Sequence, residues 1–280
     1  MKLHYDFKKT LIALSAAILL GTGVAGGVDV PGLSLTIAVA SGQQAASQTD
    51  QKTQKELQAL VAGVKEGSLL AYYVRDKVSN PQDTISFSGK GFVFKDYKSF
   101  AAKFKALKGP SSPQPGNLPK GFTLATAIIY PPAVANDSEL YLQLEQELKA
   151  AAAAGNSNKQ LFSKIISWNQ TNLSMQLYAK GKANFSIVTG SPPAKLPEGA
   201  VPFVRASETK KELTVNGRKV VLTTDSAKDA SFNTKLVWLD NSGTIQYTLS
   251  DNRASTLTTN EMLAVAKTIN QITKGLRRIS

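Results

Sequence analysis

Asn216-Gly217 lies between Glu212-Leu213-Thr214-Val215 and Lys219-Val220-Val221-Leu222-Thr223, and it constrains the fold more than any other stretch. A two-residue connection of type I′ needs positive φ at both central positions. Asn-Gly supplies it, so the two β-rich runs are expected to pair antiparallel. Leu236-Val237-Trp238-Leu239 and Thr244-Ile245-Gln246-Tyr247-Thr248-Leu249 flank Asp240-Asn241-Ser242-Gly243 and predict a second hairpin. A helix follows from Thr258: Glu261, three residues on, completes a capping box, and Leu257 and Met262 stand at the staple positions. Successive hairpins bounded by helices, without alternating βαβ units, predict an α+β fold, an antiparallel sheet with helices packed on one face.

Earlier in the chain, Leu57, Leu60, Val61 and Val64 have helical spacing, and strands are expected over 69–74 and 91–94. Phe100, Phe104 and Leu107 predict a helix over 99–107. Gly109-Pro110-Ser111-Ser112-Pro113-Gln114-Pro115-Gly116 reads as a linker, dividing a helix-strand segment (54–108) from a larger α+β domain (117–275). Within that domain the pattern predicts a strand over 122–130 and a helix over 138–154, capped by Asp137 or Ser138. A shorter helical segment over 159–168 comes next, then strands over 173–179, 184–188 and 203–208.

At the N-terminus, Lys8-Lys9 precede an uncharged apolar run over residues 11–28, the pattern of a secretory signal or membrane anchor. Residues 1–40 are therefore expected to be a leader and 41–53 a polar tether, which places the body outside the cytosol. Ala38-Val39-Ala40 offers a small-x-small cleavage site. Cleavage there removes three cations and two anions, taking the net charge from +13 to +12. It also removes His4, the one histidine of a chain with no cysteine. Ser-His-Asp and Cys-His nucleophile systems, His/Cys metal sites and disulfides are then excluded, and no cofactor is expected.

The C-terminal half resembles the DUF4367 family, a domain of unknown function in exported or membrane-anchored Gram-positive (Firmicutes) proteins. The residues that carry the resemblance are Leu118-Pro119-Lys120-Gly121-Phe122, Val215-Asn216-Gly217, Leu236-Val237-Trp238, the run from Ser242 to Leu249, and the run from Leu257 to Ile269. The resemblance implies a sheet curved around helices, similar to lipoprotein carriers and to the sensor domains that restrain anti-sigma factors. Such relatives hold acyl chains or peptides on the concave face. The family pattern contains no catalytic or ligand motif, so no site residue carries over.

The motifs that suggest chemistry each have a plainer account. Ser207-Glu208-Thr209-Lys210 has Ser-x-x-Lys spacing, but the segment reads as strand, where positions three apart face opposite sides. Gly89-Lys90-Gly91 begins like a phosphate loop and then enters a strand, with Phe94 where a third glycine belongs. Asp225, Asp229, Asp240 and Asp251 fall in expected turns and helix faces without a spacing that singles out a glycosidase-like pair. Trp168, Trp238 and Tyr247 are candidate ligand-stacking aromatics, with sheet core as the alternative for Trp238. Lys210, Lys211, Arg218 and Lys219 cluster at the first hairpin as candidate contacts to an anionic wall or membrane surface. No basic run suits nucleic acid.

The expectation for function is a non-catalytic exported protein that binds a protein, peptide or lipid-like ligand at the cell envelope. The resemblance suggests a stress or sporulation signalling context. A carboxylate-dependent envelope hydrolase and a wall-associated structural or adhesion module are the alternatives.

Overall fold

Backbone pairing is antiparallel throughout both sheets of the computed structural model, which describes residues 48–156, 158–193 and 205–275. In chain order the elements are α1 (Gln48–Ala62), β1 (Ser68–Val74), β2 (Ser86–Gly89), β3 (Phe92–Phe94), α2 (Tyr97–Ala106), β4 (Thr123–Ile129) and α3 (Glu139–Ala154). They continue with β5 (Leu161–Ser167), β6 (Ser174–Lys180), β7 (Ala183–Gly190), β8 (Glu208–Val215), β9 (Arg218–Asp225), β10 (Thr234–Leu239), β11 (Gln246–Asp251) and α4 (Thr259–Gly275). Three strands form a sheet of order β2-β1-β5, and eight form an open sheet of order β3-β4-β6-β7-β11-β10-β9-β8. This is an α+β fold. The expected leader and the first part of the tether lie outside the described residues, as do residues 203 and 204 of the expected strand over 203–208. The remainder of the tether, from Gln48, is the first turn and a half of α1.

Local chemistry accounts for the C-terminal half. Asn216 (φ 52) and Gly217 (φ 75) both take positive φ, so Val215 pairs with Arg218 and the two strands run eight residues each. In the second hairpin the amides of Thr244 and Ile245 donate to Asp240 Oδ1 at 3.0 and 3.1 Å. Drawn into that turn, they are lost to the ladder, and β11 starts at Gln246 rather than at Thr244. The capping box of α4 is closed in both directions: Glu261 N donates to Thr258 Oγ1 (3.3 Å) and Thr258 N to Glu261 Oε2 (2.8 Å). Thr258→Ala is expected to cost about 1 kcal/mol in denaturant unfolding. A change within about 0.2 kcal/mol would mean that the box contributes nothing in solution.

Register assigns the faces. Ser174, Gln176 and Tyr178 stand opposite Thr189, Ile187 and Phe185, which in turn meet Tyr247, Leu249 and Asp251. Trp238 and Leu236 continue the same face, opposite Tyr247 and Leu249, and Val220 lies across from Trp238. α4 closes this inner face with Met262, Val265, Ala266 and Ile269, all fully buried. At the other end of the sheet α2 lays Phe100, Phe104 and Leu107 against Ala127 and Ile129. Both helices of the large sheet thus cover one face, and α3 covers the small sheet through Tyr141, Leu144 and Leu148 against Ala71, Tyr73 and Phe162. Ser138 caps α3, accepting from Tyr141 N at 3.2 Å.

Four expectations are corrected. In the expected strand over 203–208, residues 205–207 are not strand but lead through a turn into β8, which begins at Glu208. Residues 161–167 are strand β5, not helix: Leu161 to Ser167 pair residue for residue with Val74 to Ser68. β2 is an additional strand between those expected over 69–74 and 91–94. Residues 109–116 do not separate two domains. β3 precedes them and pairs with β4, β1 precedes them and pairs with β5, and all the described residues belong to one compact unit.

Candidate functional site

The proline-rich segment 109–116 crosses the inner face of the large sheet between α2 and α4. Each of its prolines holds φ near −65°, and each residue before a proline is pushed to extended backbone, so the sequence itself writes a polyproline-type strap. Within it Ser111, Gln114 and Gly116 face solvent, while Ser112, Pro113 and Pro115 are buried. At one end Gly109 N donates to Phe104 O (2.8 Å), with Gly109 packed so closely on the Phe104 ring that a Cβ would fall 2.4 Å from it. At the other, Gly116 N donates to Thr268 Oγ1 of α4 (3.1 Å).

Polar side chains stand under the strap. Gln176 Nε2 donates to the carbonyls of Ser112 (3.1 Å) and Pro113 (3.3 Å) and lies 3.0 Å from Ser112 Oγ. Its Oε1 accepts from the Tyr178 hydroxyl at 2.8 Å. Tyr247 donates to Ser111 O (2.9 Å) and Tyr97 to Ser112 O (3.3 Å). Ser112 Oγ meets Thr189 Oγ1 at 3.0 Å and Ser174 Oγ at 3.3 Å. Burial pushes the Tyr178 phenol up, and burial together with the Asp240 charge raises that of Tyr247 to about 12, opposed by Arg218 and the Ser111 bond. Both therefore act as neutral hydrogen-bond donors.

The candidate aromatics divide. Trp238 stacks on Tyr247 with ring centroids 5.4 Å apart and planes 13° from parallel, inside the core beneath α4. Trp168 lies in a separate cluster, edge-on to Phe92 at 5.2 Å. Both indole N–H groups are buried with no partner among the described residues. Of the candidate basic contacts, Lys210 and Lys211 project to opposite faces of edge strand β8, and Lys219 pairs with Glu212 at 2.7 Å. Arg218 departs from expectation: it is 7% exposed, because the I′ turn directs it to the inner face with Val220, and it offers little surface for an anionic partner.

The four acids are taken up by local structure. Asp225 accepts from Ala227 N, the main reason its carboxyl lies below its ordinary value, and it is 3.7 Å from Arg205. Asp229 pairs with the same arginine at 2.7 Å. Asp240 is partly desolvated, yet bonds from Ser242, Ile245 and Thr244 hold its carboxyl low. Burial raises Asp251, which accepts from the amides of Asn233 (2.9 Å) and Thr234 (2.7 Å). Strand alternation sets Asp225 and Asp251 on opposite faces of the sheet. Ser207 lies in a turn and Lys210 in β8, so the Ser-x-x-Lys spacing does not sit on a helix. Among the described residues no group of three or more His, Cys, Asp or Glu is placed to hold a metal ion.

The opposite, outer face carries a groove of about 530 Å³ near the hairpin ends, floored by Val221, Val237 and Leu239 and walled by Pro192 and Pro193. Lys219 and Gln246 border it, and Leu239 is 43% exposed. Of the residues that line it, sequence pattern singled out Lys219, Arg218 and Trp238, but not the floor residues Val221, Val237 and Leu239. Outward-facing Val221, Val237 and Leu239 in neighbouring strands, where polar residues are the rule on a solvated face, are the signal that could have found them. No helix among the described residues is long and apolar enough to cross a membrane. Comparison with known protein families, with curated proteins and with solved structures finds no match to this chain.

Proposed function

We propose that this chain is a non-catalytic binding protein of the cell envelope, exported by its N-terminal leader, and that it takes an extended apolar segment of a peptide, a protein or a lipid-like molecule. The observation that carries the reading is the outer-face groove. Its volume, about 530 Å³, is in the range of small-ligand sites, and its aliphatic floor with a few polar groups at the border is the usual composition of one. The inner face, where the relatives suggested by the family resemblance hold their ligands, is filled by the strap and two helices and leaves the outer face to a ligand. The stress or sporulation context rests on that resemblance alone. The hydrolase alternative draws no support from the four acids, each of which holds a turn or an arginine. Adhesion to anionic wall polymers rests on Lys210, Lys211 and Lys219 and predicts retention that high salt abolishes.

The test is capture from the organism's own envelope, read by native mass spectrometry of the mature protein. A co-purifying ligand is expected, and Val237→Asp, which sets a carboxylate in the groove floor, should reduce its occupancy at least tenfold while leaving the fold intact. A ligand-free monomer from the unmutated protein, or equal capture by the variant, would refute the groove as the binding site.

A further inference from the structure

The strap is seated as a ligand is seated in a receptor. Three consecutive carbonyls, those of Ser111, Ser112 and Pro113, each accept from a side chain of the folded body, namely Tyr247, Tyr97 and Gln176. Aromatic hydroxyls and a side-chain amide directed at main-chain carbonyls are how grooves recognise a preformed polyproline helix, whose backbone has no internal bonds of its own. These donors read conformation more than sequence. One side chain of the strap, that of Ser112, makes polar contacts below, and it needs to be small and to carry a hydroxyl to meet Ser174 and Thr189. The receptor groups on the large sheet lie 62 to 136 residues from the strap and come from β6, β7 and β11, so distant parts of the chain supply the groove. The seated chain presents Ser111, Gln114 and Gly116 to solvent, and it is entered through Lys108 with φ 55.

We propose that the inner face is a recognition groove for a polyproline-type chain of Pro-Ser-Ser-Pro character, occupied in cis by residues 109–116, and that a proline-rich segment of a partner protein takes the same seat when the strap lifts. The proposal rests on the reading of the chain as a binding protein, at a site separate from the outer groove. Tethering gives the strap an effective concentration of about the millimolar order, so a free peptide competes only at comparable levels.

The cysteine-free chain allows a direct measurement. Ser112→Cys puts a single thiol beneath the strap, close in size to the hydroxyl it replaces, and its rate of disulfide exchange with a soluble aromatic disulfide reports each lifting of the strap. The expected result is labelling that is nearly insensitive to low denaturant and that accelerates with added Gly-Pro-Ser-Ser-Pro-Gln-Pro-Gly. The acceleration should reach about tenfold when the peptide stands at ten times its dissociation constant. A peptide with glycine for each proline should have no effect. Labelling only through global unfolding, or no acceleration by about 5 mM peptide, would overturn the proposal. If the cysteine variant does not fold, the doubly loosened Pro113→Gly/Pro115→Gly protein is titrated with the same peptide, followed by the amide side-chain resonances of Gln176. Saturable binding supports the proposal, and its absence in the folded variant overturns it. Neither failure touches capture at the outer groove, which the Val237→Asp comparison reads separately.

Discussion

Gln176→Ala is expected to lower the stability of the protein by about 3–5 kcal/mol in urea or guanidinium unfolding. Gln176 is fully buried, and its amide joins the sheet to the strap in both senses, giving protons to Ser112 O and Pro113 O and accepting one from the Tyr178 hydroxyl. Ser112 O keeps its bond from Tyr97 in the variant, and Ser112 Oγ keeps Thr189 and Ser174. The Tyr178 hydroxyl and the Pro113 carbonyl keep none of these bonds, and a buried polar group left without a partner costs about 1–3 kcal/mol. The cavity left by the amide adds to that. Gln176→Glu separates the two senses of the bond. A glutamate still accepts from Tyr178, but when ionised it has no proton for the strap carbonyls, so its folded pKa should rise above the ordinary value of about 4.3. A folded pKa above the unfolded one means stability that is fully present at pH below about 4 and is lost as pH rises through the folded pKa. The variant should therefore be closest to the unmutated protein in acid and weakest at neutral pH. A loss below about 1 kcal/mol for Gln176→Ala, or a flat pH profile for Gln176→Glu, would mean that the strap is not held by this amide.

What could be read from the sequence follows the range of the interactions involved. The Asn216-Gly217 turn, the Asp240 turn and the Thr258-Glu261 box are settled within about six residues, and each is where its local chemistry puts it. β5 was open to misreading because Leu161, Ile165 and Trp168 also fit helical spacing. Its strand state depends on β1, some ninety residues earlier in the chain, whose ladder offers it seven partners. The strap shows the same limit from the other side. Its prolines make its extended conformation legible, yet no feature of Pro110 to Pro115 indicates that Gln176 and Tyr247 are waiting for its carbonyls. Composition therefore suggested a solvated linker where the chain in fact lines its own core. The outer groove was hidden for a related reason: alternation in β9 and β10 marks Val221 and Val237 as one face, but Pro192 and Pro193 reach them only through the sheet order.

Trp238→Ala is the second change with a large expected effect, about 3–5 kcal/mol, and it separates a structural aromatic from a ligand platform. Trp238 stands directly across from Tyr247 in the β10–β11 ladder, their rings stacked, with Leu236, Leu249 and the α4 residues Met262 and Val265 in the same cluster. Removing the indole opens the largest of the fully buried side-chain volumes and frees the Tyr247 ring, whose hydroxyl seats Ser111. The indole N–H has no partner among the described residues, so it contributes desolvation cost and no bond. Trp238→Phe, which keeps an apolar ring and discards that N–H, is therefore expected to stay within about 1.5 kcal/mol of the unmutated protein. Trp168 remains as a fluorescence reporter in both variants, and denaturant titration with circular dichroism as a second probe gives the two free energies. If Trp238 were chiefly a stacking surface for ligand, the alanine variant would keep its stability and lose only binding. A phenylalanine variant as weak as the alanine one would instead mean that the indole N–H makes a bond that the packing gives no reason to expect.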